Sequence, residues 1–200
     1  MKSKWQISVT FIPLKRINMK KLAIASLIGG IIIFFWQTLS WTVLNLHSAS
    51  EGYTPKQDSI LAFLNAQFSE DGSYLLPGYP QGTSREEMDK TMGSREGKPW
   101  AQIQYHKELR VNMGMNILRG LLVDIVIVGL LCWVLMKMRD PGFARILVAC
   151  LIIGVIVFLN SPYTVSIWFP KADINAHFTD ALLSWGLCGI WLGWYLKPRK

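Results

Sequence analysis

Cysteine and histidine are scarce in this chain, with three of each in 200 residues. Cys132, Cys150 and Cys188 all fall inside hydrophobic runs and none in the polar segment, so no disulfide framework is expected. Each reads as a small apolar packing residue. The sequence holds no C-x-x-C or H-E-x-x-H spacing, no P-loop, no dinucleotide fingerprint, no nucleophile elbow and no haem-attachment motif. With those signatures missing, the expectation leans away from an enzyme, and no cofactor or metal is called for by spacing. Acidic residues are also few, 13 against 21 Lys and Arg, which leaves a net charge of +8.

Where the basic residues lie decides what that charge means. Twelve of them fall in three short segments: six before Leu22, three in Lys137–Arg145 and three in Lys197–Lys200. Those segments contain a single acid, Asp140, and alternate with segments of mixed charge. This is the positive-inside pattern of a multi-pass membrane protein. No basic-aromatic surface motif accompanies it, so nucleic acid is not an expected partner. A hydrophobic share of 51% and nine tryptophans place the chain in the same class.

The expected fold is a membrane all-α one: a four-transmembrane-helix bundle with a small α+β extracytoplasmic insert. Residues 1–21 form a cytoplasmic N-terminal arm, and Met19-Lys20-Lys21 has the look of a bacterial membrane-protein start. The first span, 22–47, is too long for the apolar core of a cleaved signal peptide, so a retained anchor is expected. Within it Ser26, Gly30, Ile33, Gln37, Ser40, Leu44 and His47 recur at alternating spacings of four and three, which puts them on one helical face. Small and polar residues on an apolar helix mark a face for protein rather than lipid.

Residues 48–111 form the insert. Thr54-Pro55 opens a helix carrying Ile60, Leu61, Phe63, Leu64 and Phe68. Ser84 and Glu87 have capping-box spacing over a second helix. The runs around Tyr74 and Ile103 alternate as half-buried strands and should pair beneath one helix. Such a unit is marginal by itself.

Residues 112–200 hold the other three spans, Asn112–Met136, Phe143–Asn160 and a last one ending at Leu196. Between the third and the fourth, 161–178 is expected to be interfacial, with Asn160-Ser161-Pro162 stopping the third helix. Arg119 and Asp124 lie in the second span. Arg119 can snorkel, whereas Asp124 is deeper and needs a partner, water or another helix. Thr179, Leu182, Gly186, Gly189 and Gly193 share a face, and together with Gly30 they should allow the first and last spans to approach closely.

His47, His106 and His177 each fall at the outer end of a span or just before one, and Asp180 shares a helical face with His177. A convergent set of these residues could hold a divalent ion or transfer protons, while histidine is equally at home at an interface.

The first span also carries Phe34, Trp36, Ser40, Trp41, Leu44 and His47 in the pattern F-x-W-x-x-x-S-W-x-x-L-x-x-H. With Gly72, Tyr74 and Pro77 in the insert and Trp168-Phe169-Pro170 before the last span, the chain resembles a family of uncharacterised bacterial integral membrane proteins. Gln37 and Asn45-Leu46 depart from the family's pattern. The resemblance implies an envelope protein with one span, an external segment and three further spans, and it transfers no activity.

The expected role is that of an accessory or scaffold subunit in the bacterial inner membrane, with both termini cytoplasmic. Its partners would be the lipid bilayer and either a second copy or a membrane-protein complex. The alternatives are a small transporter or channel component using Asp124 and Gln37, and an interfacial metal-dependent enzyme built on the three histidines.

Overall fold

The computed structural model describes residues 17–139 and 141–197. Most of the N-terminal arm, Asp140 and the last three residues lie outside the described residues. The chain divides into two units, one made of 17–52 with 112–197 and the other of Tyr53–Val111.

The first unit is helical. Asn18 starts α1 (Met19–Thr38) by accepting a hydrogen bond from the Lys21 backbone N–H at 3.0 Å. Asn112 does the same for α4 (Met113–Lys137) through the Met115 N–H. α5 (Phe143–Phe158) and α7 (Ile174–Leu196) complete the set of long helices. The second unit supplies α2 (Gln57–Gln67), β1 (Gly72–Leu76), α3 (Arg85–Arg95) and β2 (Ala101–Tyr105), and α6 (Thr164–Trp168) follows α5.

Among the described residues, three helical stretches are long and apolar enough to cross a membrane: Met19–Val43, Met113–Lys137 and Phe143–Trp168. At 1.5 Å per residue each exceeds the hydrocarbon thickness of roughly 30 Å. Their outward residues, such as Ile31, Phe35, Val126, Leu130 and Ile152, are large, apolar and exposed, the surface a bilayer would cover. The fourth expected span, α7, is not among the three. Its 23 residues include Asn175, His177, Asp180 and three glycines, and eight of its residues are buried. A helix shielded by its neighbours needs less hydropathy than one facing lipid.

Two departures from the expected helices share a cause. α1 passes into a π-helical turn, Leu39–Val43, instead of running regularly to His47. A π-turn inserts one residue and rotates the residues after it by about 100°. Asn45 then takes a left-handed conformation at φ +50°, which asparagine tolerates better than most residues, and the helix ends. The stripe is therefore only partly inward: Ser26, Gly30, Ile33, Ser40 and His47 are buried, whereas Gln37 and Leu44 are exposed. At the other π-turn, Leu159–Tyr163, Pro162 does not stop the third span as expected. The wider turn accommodates the missing N–H, and Leu159 O accepts from both the Thr164 N–H and its hydroxyl, the latter at 2.6 Å. The helix continues to Trp168, and the non-helical part of the expected interfacial segment shrinks to residues 169–173.

α1 and α7 pack against each other, α4 against α1, and α5 against α7. The first span is thus one of two inner helices. The glycines also have other partners than expected. A Cβ on Gly30 would lie 2.7 Å from the Ile125 backbone of α4, so no side chain fits there. Gly189 and Gly193 face Cys150 and Phe143 of α5, and Gly186 is in ordinary contact with Leu151. The core joins Ala25, Ile33, Val128, Cys132, Ile146, Cys150, Trp185, Cys188 and Leu192, with the three cysteines as fully buried packing residues.

In the second unit β1 and β2 pair antiparallel with Tyr74 opposite Ile103. Phe68, just after α2, stacks on Tyr74 at 3.9 Å, and the Tyr105 hydroxyl donates to Asn65 Oδ1 at 2.7 Å, which fastens the end of α2 to the sheet. Ser84 and Glu87 form a capping box at the start of α3. α2 begins at Gln57, after a turn through Pro55 and Lys56, three residues later than its Thr54 signal.

Candidate functional site

The π-turn and the left-handed Asn45 carry the chain off the α1 axis and deliver His47 to the N-terminal end of α7. His47 is 1% exposed. Its Nδ1 lies 2.7 Å from Asp173 Oδ2 and its Nε2 lies 2.9 Å from Asp180 Oδ2. The Trp41 indole stacks on the ring at a centroid distance of 3.9 Å and an interplanar angle of 3°. His177 meets the same ring edge-on at 4.7 Å, and its Nε2 lies 3.4 Å from Asp173 Oδ2. The Trp36 indole N–H donates to the other oxygen of Asp180 at 3.0 Å.

Helical periodicity explains how α7 assembles its share. Asp173 immediately precedes the helix, His177 follows one turn later and Asp180 nearly another, so all three lie along one edge. The electrostatics derive from this geometry. Burial alone would lower the proton affinity of His47, but hydrogen bonds to Asp173 and Asp180 and their charges outweigh it and raise it above the ordinary histidine value. Burial likewise works to raise Asp173, yet the His47 hydrogen bond and the His177 and His47 charges bring its carboxyl below the usual range. Asp173 Oδ1 remains buried without a hydrogen-bond partner.

A cavity of about 460 Å³ runs beside this cluster, between helices of the first unit. His177 and Asp180 line it together with Gln37 and Asp124. Gln37 hydrogen-bonds Asp124, which is 6% exposed in the middle of α4 and keeps its Oδ2 unpartnered.

No protein-family model, curated protein or solved structure matches this chain. The site is therefore read from its own geometry. Of the residues singled out in the sequence, His47, His177 and Asp180 come together, and Gln37 joins Asp124. His106 belongs to the Tyr53–Val111 unit, where its Nδ1 lies 3.4 Å from Asp71 Oδ2 with both side chains exposed. Arg119 is exposed on the second turn of α4. Asp173 was missed, although its spacing of four from His177 puts it on the His177 face. Trp36 and Trp41 entered only through the family resemblance, and nothing local in the sequence assigns them to Asp180 and His47.

Proposed function

We propose that this protein is a four-span, non-enzymatic accessory or scaffold subunit of an envelope complex in the bacterial inner membrane. Both termini face the cytoplasm, and the Tyr53–Val111 unit faces the periplasm. The positive-inside distribution of Lys and Arg supports this orientation. The length of α7, about 34 Å at 1.5 Å per residue, supports it as the fourth crossing.

The observation that carries the reading is the surface of the Tyr53–Val111 unit. Only Tyr105 is buried in it, while Tyr53, Leu61, Phe63, Trp100 and Leu109 are each more than half exposed. A unit this small with so little core gains from a surface that covers its exposed apolar side chains. Site-specific photocrosslinking in cells tests the proposal. A photoreactive residue at Phe63 or Trp100 should give one discrete protein adduct, and the same group at Lys90 on α3 should give none. Adducts to lipid alone, or equal labelling at all three positions, would overturn it.

A second reading has its own observation. One cavity is lined by Gln37, Asp124, His177 and Asp180 among apolar side chains of the helices. Buried ionisable residues in such a setting mark ion or proton pathways, and four short spans would serve one as a component of a small transporter or channel. Asp124→Asn should then abolish proton or cation flux in proteoliposomes. Unchanged flux, or none in the parent protein, removes this reading.

A further inference from the structure

We infer that His47, Asp173 and His177 form a binding site for one divalent transition-metal ion with the chemistry of zinc, and that Asp180 holds the His47 ring from its far side. This departs from the sequence-based expectation of no metal.

The first support is convergence. Ligand atoms of His47, Asp173 and His177, one from each, lie within 4.8 Å of one another, although His47 is 126 residues from Asp173. Donor atoms around a tetrahedral zinc ion are about 3.4 Å apart, given ligand bonds of about 2.0–2.1 Å. The separation of 3.4 Å between His177 Nε2 and Asp173 Oδ2 already has that value. The 2.7 Å between His47 Nδ1 and Asp173 Oδ2 has to open by several tenths of an ångström when an ion takes the place of the hydrogen bond.

The second support is what a proton leaves undone. In a neutral His47 whose Nε2–H donates to Asp180, Nδ1 presents a lone pair to a carboxylate oxygen 2.7 Å away. Two acceptors at that distance require a cation between them. A proton on Nδ1 satisfies this pair but leaves His177 Nε2 in only a long contact, 3.4 Å, with the same oxygen. Nor does it supply a partner for Asp173 Oδ1, which is buried and unpartnered in a residue only 4% exposed. One divalent ion engages both histidines and the carboxylate together. It also balances two aspartates whose ion pairs, among the described residues, are all with histidine.

The third support is the surroundings. Histidine ligands donate their other ring N–H to a carboxylate that sets tautomer and orientation, and Asp180 stands in that relation to His47. Asp180 is in turn fixed by the Trp36 indole N–H. Two imidazoles and one carboxylate suit zinc better than calcium or magnesium, which require oxygen ligands. His177 also borders the cavity, so a ligand position not filled by protein can open there.

The test uses the full chain purified in mild detergent, dialysed against Zn²⁺ and then against metal-free buffer, with bound zinc measured by elemental analysis. One zinc per chain is expected. X-ray absorption should show nitrogen and oxygen ligands without sulfur, which separates this site from the buried cysteines. His177→Ala and Asp173→Asn should lose the ion, and His106→Ala should keep it. Asp180→Asn should still fill at high zinc but bind roughly 10–100-fold more weakly. Zinc should raise the melting temperature of the parent protein and not that of His177→Ala, a readout that stands even where His47→Ala fails to fold. Zinc well below one per chain in the parent, or equal zinc in the His177→Ala and His106→Ala variants, would overturn the proposal.

Discussion

The chain contains the same ion pair in two settings. In the helical unit His47 lies 2.7 Å from Asp173 and 2.9 Å from Asp180, with side-chain exposures of 1%, 2% and 15%. In the Tyr53–Val111 unit His106 lies 3.4 Å from Asp71, with exposures of 67% and 58%. The residue types are identical and their consequences are not. Water competes for every group of the exposed pair and screens its charges, so it behaves as an ordinary surface contact. The buried cluster has no such alternative, and each of its groups depends on the others being present.

The largest expected effect comes from breaking the buried cluster. His47→Ala removes the shared partner of Asp173 and Asp180 and leaves their buried carboxylates under-satisfied, and the helical unit should lose about 3 kcal/mol of stability. Thermal melting of the zinc-free protein in detergent reads this directly. A loss no greater than that of His106→Ala would erase the distinction between the two pairs.

Trp36→Phe should cost less, about 1 kcal/mol, because it removes one hydrogen bond to Asp180 and keeps the apolar ring. A cost equal to that of His47→Ala would mean that the indole, and not the imidazole, holds the cluster.

pH sharpens the contrast further. His47 binds its proton more tightly in the folded protein, so its contribution is full below the unfolded value of about 6.5 and is lost as the pH rises through its folded value. Asp173 is shifted the opposite way, so its contribution is present above its unfolded value of about 3.9 and is lost only in acid. Without zinc, the difference in melting temperature between the parent and His47→Gln should therefore narrow as the pH rises above about 6.5. A constant gap would show that His47 acts through packing alone.

The smallest effect belongs to the exposed pair. The Asp71 carboxyl is held below its usual range first by the Lys107 backbone N–H, at 3.0 Å, and only then by His106. His106→Ala should leave the melting of the protein unchanged within error at neutral pH. A clear drop would make His106 a structural partner and narrow the gap between the two units.

Much of the fold was legible because it depends on short-range patterns. The capping box at Ser84 and Glu87 is a local hydrogen-bond exchange, and it formed where the spacing put it. The strand pair brings Tyr74 opposite Ile103 because alternation marked both runs as half-buried and each needed a partner. The π-turns at Leu39–Val43 and Leu159–Tyr163 were not legible. Nothing in the local composition distinguishes such a turn from a regular helix end, and Pro162 argued for a stop. The glycine contacts were half legible. Small residues announced close approach, but whether Gly30 met α4 or α7 depended on how the helices turned about their axes.

By itself the sequence determined three of the four stretches it singled out as apolar and long enough to cross a membrane, where the buried cysteines go and which short elements form in the polar segment. Each of these rests on periodicity, length or capping within a few residues. Only the tertiary structure decided that His47 leaves its helix and closes on Asp173 and Asp180, with Trp41 over the ring and Trp36 behind Asp180. The reason is physical. That cluster joins groups more than a hundred residues apart, and its geometry rests on a one-residue π insertion and a left-handed Asn45, which leave no mark on the hydrophobic pattern.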